Sequence, residues 1–176
     1  MNKFCFIILF FMLSAGVLQA QKLIFIRHGE KPLVGTNLNC AGLNRSLKLP
    51  TVLYKKFGKP DFLFVPGLGL GDTTKHSRMF QTIVPTAIRY NLIVNTSHHE
   101  KDFPGIAADL KSRKGTIIIT WEHKAIPCIL KALGIADTLT WPDDDFDSVW
   151  IVTFQGGIPK LTIDHEDIHP SDNCSI

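Results

Sequence analysis

Two side chains suited to phosphorus chemistry stand next to each other early in the chain. The stretch Leu23-Ile24-Phe25-Ile26-Arg27-His28-Gly29-Glu30 runs apolar residues directly into Arg-His-Gly. A guanidinium fork can grip phosphate oxygens, and a neutral imidazole nitrogen can attack phosphorus. Residues of the same two types recur further on. Arg78 lies in Ser77-Arg78-Met79-Phe80-Gln81-Thr82, and His123 lies in Trp121-Glu122-His123-Lys124. Arg45, near the start of a helical pattern, is a further cation that could reach the same place.

The patterns around these residues say how they are carried. Leu23–Ile26 reads as a buried strand, and Gly29 lets the chain turn tightly at its end. Thr116-Ile117-Ile118-Ile119-Thr120 carries the strongest strand signal and reads as a central parallel strand, with His123 just beyond it. Two histidines at matching strand ends favour one shared site, because ligands of open α/β sheets bind beyond the strand carboxyl ends. Arg78 falls in the first turn of a helix that Ser77 is expected to cap. A cation is unfavourable there unless an anion joins it.

The remaining segments fill in the architecture. Cys40–Phe57 reads as a helix with Pro50 inside it, Asp61–Pro66 as a strand and Leu92–Asn95 as a short strand. Phe103–Lys111 and Ile126–Leu133 are amphipathic helices, the second closed by Gly134. Ser148–Phe154 is a strand, and Lys160–Asp164 returns beside it as an antiparallel edge. The alternation implies an α/β three-layer sandwich: a mostly parallel central sheet flanked by helices, with one antiparallel edge strand.

Other motifs fail their tests. Gly67-Leu68-Gly69-Leu70-Gly71-Asp72 lacks the third glycine of a dinucleotide fingerprint and the Gly-Lys-Ser/Thr of a phosphate loop, so it reads as a flexible loop. Adjacent His98-His99 lack metal-pair spacing. The acidic run Asp143-Asp144-Asp145-Phe146-Asp147 lacks the alternating ligands of a calcium loop and reads as a solvated loop or cap. A formal net charge of +3 is too mild to imply nucleic acid.

Residues 1–20 differ from the rest. Asn2-Lys3, the apolar run Phe4–Leu13 and the small residues leading to Ala20 read as a secretory signal peptide cleaved after Ala20. Residues 21–176 then form one domain that is exported, periplasmic or secreted, with no membrane segment left after cleavage. Cleavage leaves Cys40, Cys128 and Cys174, which allow at most one internal disulfide. Cys128 lies in an apolar helical pattern and is expected to be a buried thiol. A Cys40–Cys174 pair is open from the sequence.

Arg27-His28-Gly29-Glu30, then Ser77-Arg78 with Gln81-Thr82, then a late strand ending at His123, resemble the histidine phosphatase superfamily, the phosphoglycerate-mutase-like proteins. The likeness runs from Lys22 to Phe154. It implies that His28 is the nucleophile that becomes phosphohistidine. It implies that Arg27 and Arg78 bind the phosphoryl oxygens and that His123 completes the pocket. No metal and no cofactor are required where arginines and a second histidine supply the positive field. Lys31 stands where the family often has Ser or Thr, and Glu122-His123-Lys124 replaces the common His-Gly or His-Asp. The general acid is therefore open: Glu122 is nearest in sequence, with Glu100 or Asp102 as the alternative.

The expected function is metal-independent hydrolysis of small phosphomonoesters. A mutase must retain its intermediate, and this chain has no large insertion to cap the site. The alternative is a non-catalytic member that uses the pocket to bind phosphate or another anion.

Overall fold

The structure is a computed structural model that describes residues 21–69, 71–136 and 138–174. The signal-peptide expectation falls on residues 1–20, outside the described residues. Ten elements follow in order: β1 (Lys22–Arg27), α1 (Cys40–Phe57), β2 (Phe62–Phe64), α2 (Ser77–Tyr90), β3 (Val94–Asn95), α3 (Phe103–Ser112), β4 (Thr116–Trp121), α4 (Ile126–Leu133), β5 (Ser148–Gln155) and β6 (Ile158–His165).

The strands form one six-stranded sheet in the order β3-β2-β4-β1-β5-β6. β1, β2, β3 and β4 pair in parallel. β6 is the expected antiparallel edge, and β5 also runs antiparallel to β1. Side chains alternate across the central strands, as period-two geometry requires. Leu23 and Phe25 of β1 join Ile117, Ile119 and Trp121 of β4 in a core shared with α3 and α4. Ile24, Ile26 and Ile118 point the other way, into a core shared with α1 and α2. The central strands read as unbroken apolar runs because both their faces are covered.

Three local expectations are corrected. Ser77 is the first residue of α2 and not its cap. His76 precedes it in the left-handed region at φ 54°, and the Ser77 hydroxyl donates to the Thr36 carbonyl at 2.8 Å. Cys128 is exposed, not buried, because the buried face of α4 is Ile126, Ile129, Leu130 and Leu133. Arg45 is buried behind the site in an ion cluster with Glu30, Asp147 and Glu166. Among the described residues, no helix is long and apolar enough to cross a membrane.

The strap after β6 runs back along α1. Asn44 Nδ2 donates to the carbonyls of Ser171 and Asn173, each at 2.8 Å, and a disulfide joins Cys40 to Cys174.

Candidate active site

Parallel pairing of β1 with β4 puts Arg27 opposite Trp121, so His28 and the Glu122-His123 pair leave the sheet at one level. His28 N–H donates to the Trp121 carbonyl at 3.3 Å, extending the ladder by one bond. The turn after β1 is braced from two sides. Gly29 N–H donates to Thr82 Oγ1 at 2.9 Å, and that hydroxyl donates to the Arg78 carbonyl at 2.7 Å. On the other side α1 approaches so closely that a Cβ on Gly42 would collide with the backbone of Glu30. Here glycine serves close approach of two backbones.

His28 is 2% exposed. Its Nδ1 lies 2.7 Å from the Gly29 carbonyl, so Nδ1 carries the proton and donates. Nε2 then keeps its lone pair. Burial is the main force that pushes the His28 imidazole down to about 4, and the nearby charges of Arg78, Arg27 and His123 push the same way against the Gly29 hydrogen bond. At neutral pH the ring is therefore uncharged and able to act as a nucleophile.

Positive groups surround it. Arg27 is 2% exposed and lies under the Phe146 ring, 3.8 Å from its centroid. Arg27 Nη1 donates to the carbonyls of Asp143 at 2.7 Å and Asp145 at 3.0 Å. The acidic run read as a solvated loop thus serves as the floor for Arg27 through its main chain. His123 is buried between two carboxylates. Its Nε2 is 2.7 Å from Asp143 Oδ1. Glu122 Oε1 is 2.7 Å from Nδ1, off the line of a hydrogen bond, and Nδ1 keeps no hydrogen-bond partner. Among the described residues, Arg27 Nε, Arg78 Nε and His123 Nδ1 are all buried without a hydrogen-bond partner. Buried donors are nearly always paired, so two orphan guanidinium N–H groups beside one neutral histidine suit an incoming anion.

Arg78 opens onto a cleft of about 340 Å³ that Glu100 and Glu122 also line, together with Lys75 and His76. Glu122 Oε2 accepts from the backbone N–H groups of Lys124 and Ala125 at 2.8 and 3.2 Å, ahead of α4. Among the described residues, Glu100 Oε1 has a single ionic neighbour, His76 Nδ1 at 3.4 Å. Asp102 is kept away from the cleft: it caps α3 by accepting from Gly105 N–H and pairs with His98. Among the described residues, no group of three or more His, Cys, Asp or Glu is placed to hold a metal ion.

Solved structures share this architecture. The protein histidine phosphatase SixA complexed with tungstate matches with a TM-score of 0.62 at 14% identity, over 82% of this chain and 97% of that one. The chain has the histidine phosphatase fold. A mycobacterial glucosyl-3-phosphoglycerate phosphatase complexed with inorganic phosphate matches with a TM-score of 0.53 at 15% identity, over 82% of this chain and 96% of that one. The alpha-ribazole phosphatase of Shigella flexneri matches with a TM-score of 0.52 at 13% identity, over 81% of this chain and 95% of that one. No protein-family model matches the sequence, and no curated protein matches it. At such identities the likeness is one of histidine phosphatase fold, and what this chain does must be argued from its own residues.

The fold brings together the residues that the sequence offered as candidates, His28, Arg27, Arg78, His123 and Glu122. Sequence reasoning missed Thr82 as the brace of the Gly29 turn, Phe146 over Arg27, and both contacts of Asp143. Thr82 stood inside a quoted motif. Asp143 and Phe146 carried no signal, because they lie far along the chain from the groups they meet.

Proposed function

We propose that this protein hydrolyses small phosphomonoesters through a phosphohistidine on His28. The observation that carries the reading is an uncharged, buried His28 with Nδ1 held by its own turn, set beside buried guanidinium N–H donors of Arg27 and Arg78 that lack partners among the described residues. In the first step the His28 Nε2 lone pair forms a bond to phosphorus and the phosphorus–oxygen ester bond breaks. Arg27, Arg78 and His123 stabilise the charge on the equatorial oxygens. The leaving oxygen takes a proton from a carboxylate in the cleft. We assign that role to Glu100, which faces the cleft with His76 as its ionic neighbour, since Glu122 Oε2 is tied to two backbone N–H groups ahead of α4. In the second step water attacks phosphorus, the nitrogen–phosphorus bond breaks, and the water's proton returns to the same carboxylate. The arginines and His123 supply the positive field, so the reading requires no metal.

The fold of phosphatases that carry phosphate or tungstate in their solved structures supports this reading, and the Cys40–Cys174 disulfide suits the export proposed from residues 1–20. The test is hydrolysis of an aryl phosphate with chelator present, beside His28→Ala. Turnover that survives chelator, falls by about a thousandfold or more in the variant, and leaves an acid-quenched phosphoenzyme only in the parent protein is expected. With an alkyl phosphate, whose leaving group needs its proton, Glu100→Gln is expected to cost about a hundredfold and Glu122→Gln much less. Phosphate binding without turnover would replace the enzyme by the anion-binding reading.

A further inference from the structure

The acidic loop between α4 and β5 holds both motif tips through one residue. The main-chain carbonyl of Asp143 accepts from Arg27 Nη1 at 2.7 Å, while its side-chain Oδ1 lies 2.7 Å from His123 Nε2. We propose that Asp143 is the positioning residue of His123: it fixes the imidazole so that Nδ1 presents to the phosphoryl group while Arg27 is held in register with it. This rests on the phosphate-site reading above.

The two sides of the His123 ring face different surroundings. On the Nδ1 side lies Glu122, a wall of the cleft that also holds Arg78 and Glu100. On the Nε2 side lies Asp143, which lines a separate cavity with Lys124, Cys128 and Trp141. Asp143 therefore stands behind the ring as seen from the cleft. A carboxylate at one ring nitrogen decides which proton that nitrogen carries and which way the other points. With Nε2–H given to Asp143, Nδ1 is the nitrogen on the cleft side, 2.7 Å from Glu122 Oε1 but off the line of a hydrogen bond. To donate to a phosphoryl oxygen Nδ1 must carry a proton as well, so the ring serves as an imidazolium held between the two carboxylates. The pairing is mutual: the hydrogen bond from His123 leads the influences that hold the Asp143 carboxyl below its ordinary range, and Lys124 adds to it at 3.4 Å. Neighbouring Asp144 makes no such contact and faces solvent.

Side-chain substitution leaves the Asp143 carbonyl, and so the Arg27 contact, in place. Asp143→Ala is expected to lower kcat on an aryl phosphate about tenfold and to weaken competitive inhibition by inorganic phosphate, as loss of an outer partner does for a working histidine. Asp143→Asn keeps an acceptor oxygen and is expected to recover to within about threefold of the parent protein. Asp144→Ala is the control and should match the parent. Ring-nitrogen NMR of His123, with no ligand present, should show the Nε2 resonance moving in Asp143→Ala and not in Asp144→Ala. Two results would overturn the proposal: kcat of Asp143→Ala within twofold of the parent, or tighter phosphate inhibition, which would make Asp143 a competitor of the ligand. If the parent protein neither turns over nor binds phosphate, the functional reading fails by itself. The NMR arm then decides the contact: an unmoved Nε2 resonance rejects it, and a moved one upholds the orientation of the ring.

Discussion

Replacing Glu166 by Gln should remove a pH dependence of stability that the fold builds in. Arg45 serves three carboxylates at once: Glu30 at 2.8 Å, Glu166 at 2.5 Å and Asp147 at 3.5 Å. One cation leaves a net negative cluster, and the Glu166 side chain is 0% exposed with Oε1 unpartnered among the described residues. Burial pushes the Glu166 carboxyl up from 4.5 to about 8, against the pull of Arg45. Between those values the native protein holds a proton that the unfolded chain has released, so stability falls as pH rises through this window. His28 does the reverse. Its native value of about 4 lies below the unfolded 6.5, so its contribution makes stability rise with pH between the two. The opposing slopes largely cancel from about pH 4.5 to 6.5, and Glu166 dominates above that. At about 1.4 kcal/mol per pH unit, rounded off near each titration point, the net loss between pH 6.5 and 9 is on the order of 1–2 kcal/mol. Urea unfolding followed by fluorescence of the buried Trp121, Trp141 and Trp150, in phosphate-free buffer under oxidising conditions, measures it. Glu166→Gln should be flat or rise slightly over the same range. Equal slopes in the two proteins would refute the reasoning and show that Glu166 is ionised in the native state at neutral pH.

Two further predictions concern the frame of the site. Gly42→Ala places a Cβ against the Glu30 backbone, 2.8 Å from its nitrogen and closer to its oxygen. Overpacking costs about 1–3 kcal/mol against a helical gain of about 1. Net destabilisation with a lower kcat is expected from urea unfolding and aryl phosphate hydrolysis, and full activity at parental stability would contradict the close approach. Cys174→Ser opens a link between residues 134 apart in sequence. A loss of about 2–4 kcal/mol is expected, and the parent protein in reductant should match it. An unchanged urea midpoint would show that the strap is held by its hydrogen bonds to Asn44 alone.

Much of the molecule was legible before the fold was known, for particular reasons. Leu23–Ile26 and Ile117–Ile119 are apolar on every residue, which a soluble chain tolerates only where both strand faces are covered. That placed β1 and β4 at the centre and His28 and His123 at their ends. Ser77 was misread as a cap because its hydroxyl is drawn to Thr36 by a loop that local pattern does not reveal. Cys128 was misread because one residue off the Ile126-Ile129-Leu130-Leu133 stripe turns from core to surface. Arg45 lies near the turn, as expected, but Glu30 and Glu166 claim its guanidinium.

What the sequence alone determined is the set of candidate side chains and the strands that carry them. Residue type and local periodicity encode both, and neither needs a distant contact. Only the tertiary structure decided their states. His28 is neutral because the fold buries it beside Arg27 and Arg78. Glu100 enters the cleft while Asp102 is drawn away to cap α3. Asp143 meets His123 across 20 residues of chain, and Glu166 meets Arg45 across 121. Desolvation and hydrogen-bond partners are properties of what packs around a group, and those neighbours come from segments whose spacing along the chain carries no local signal.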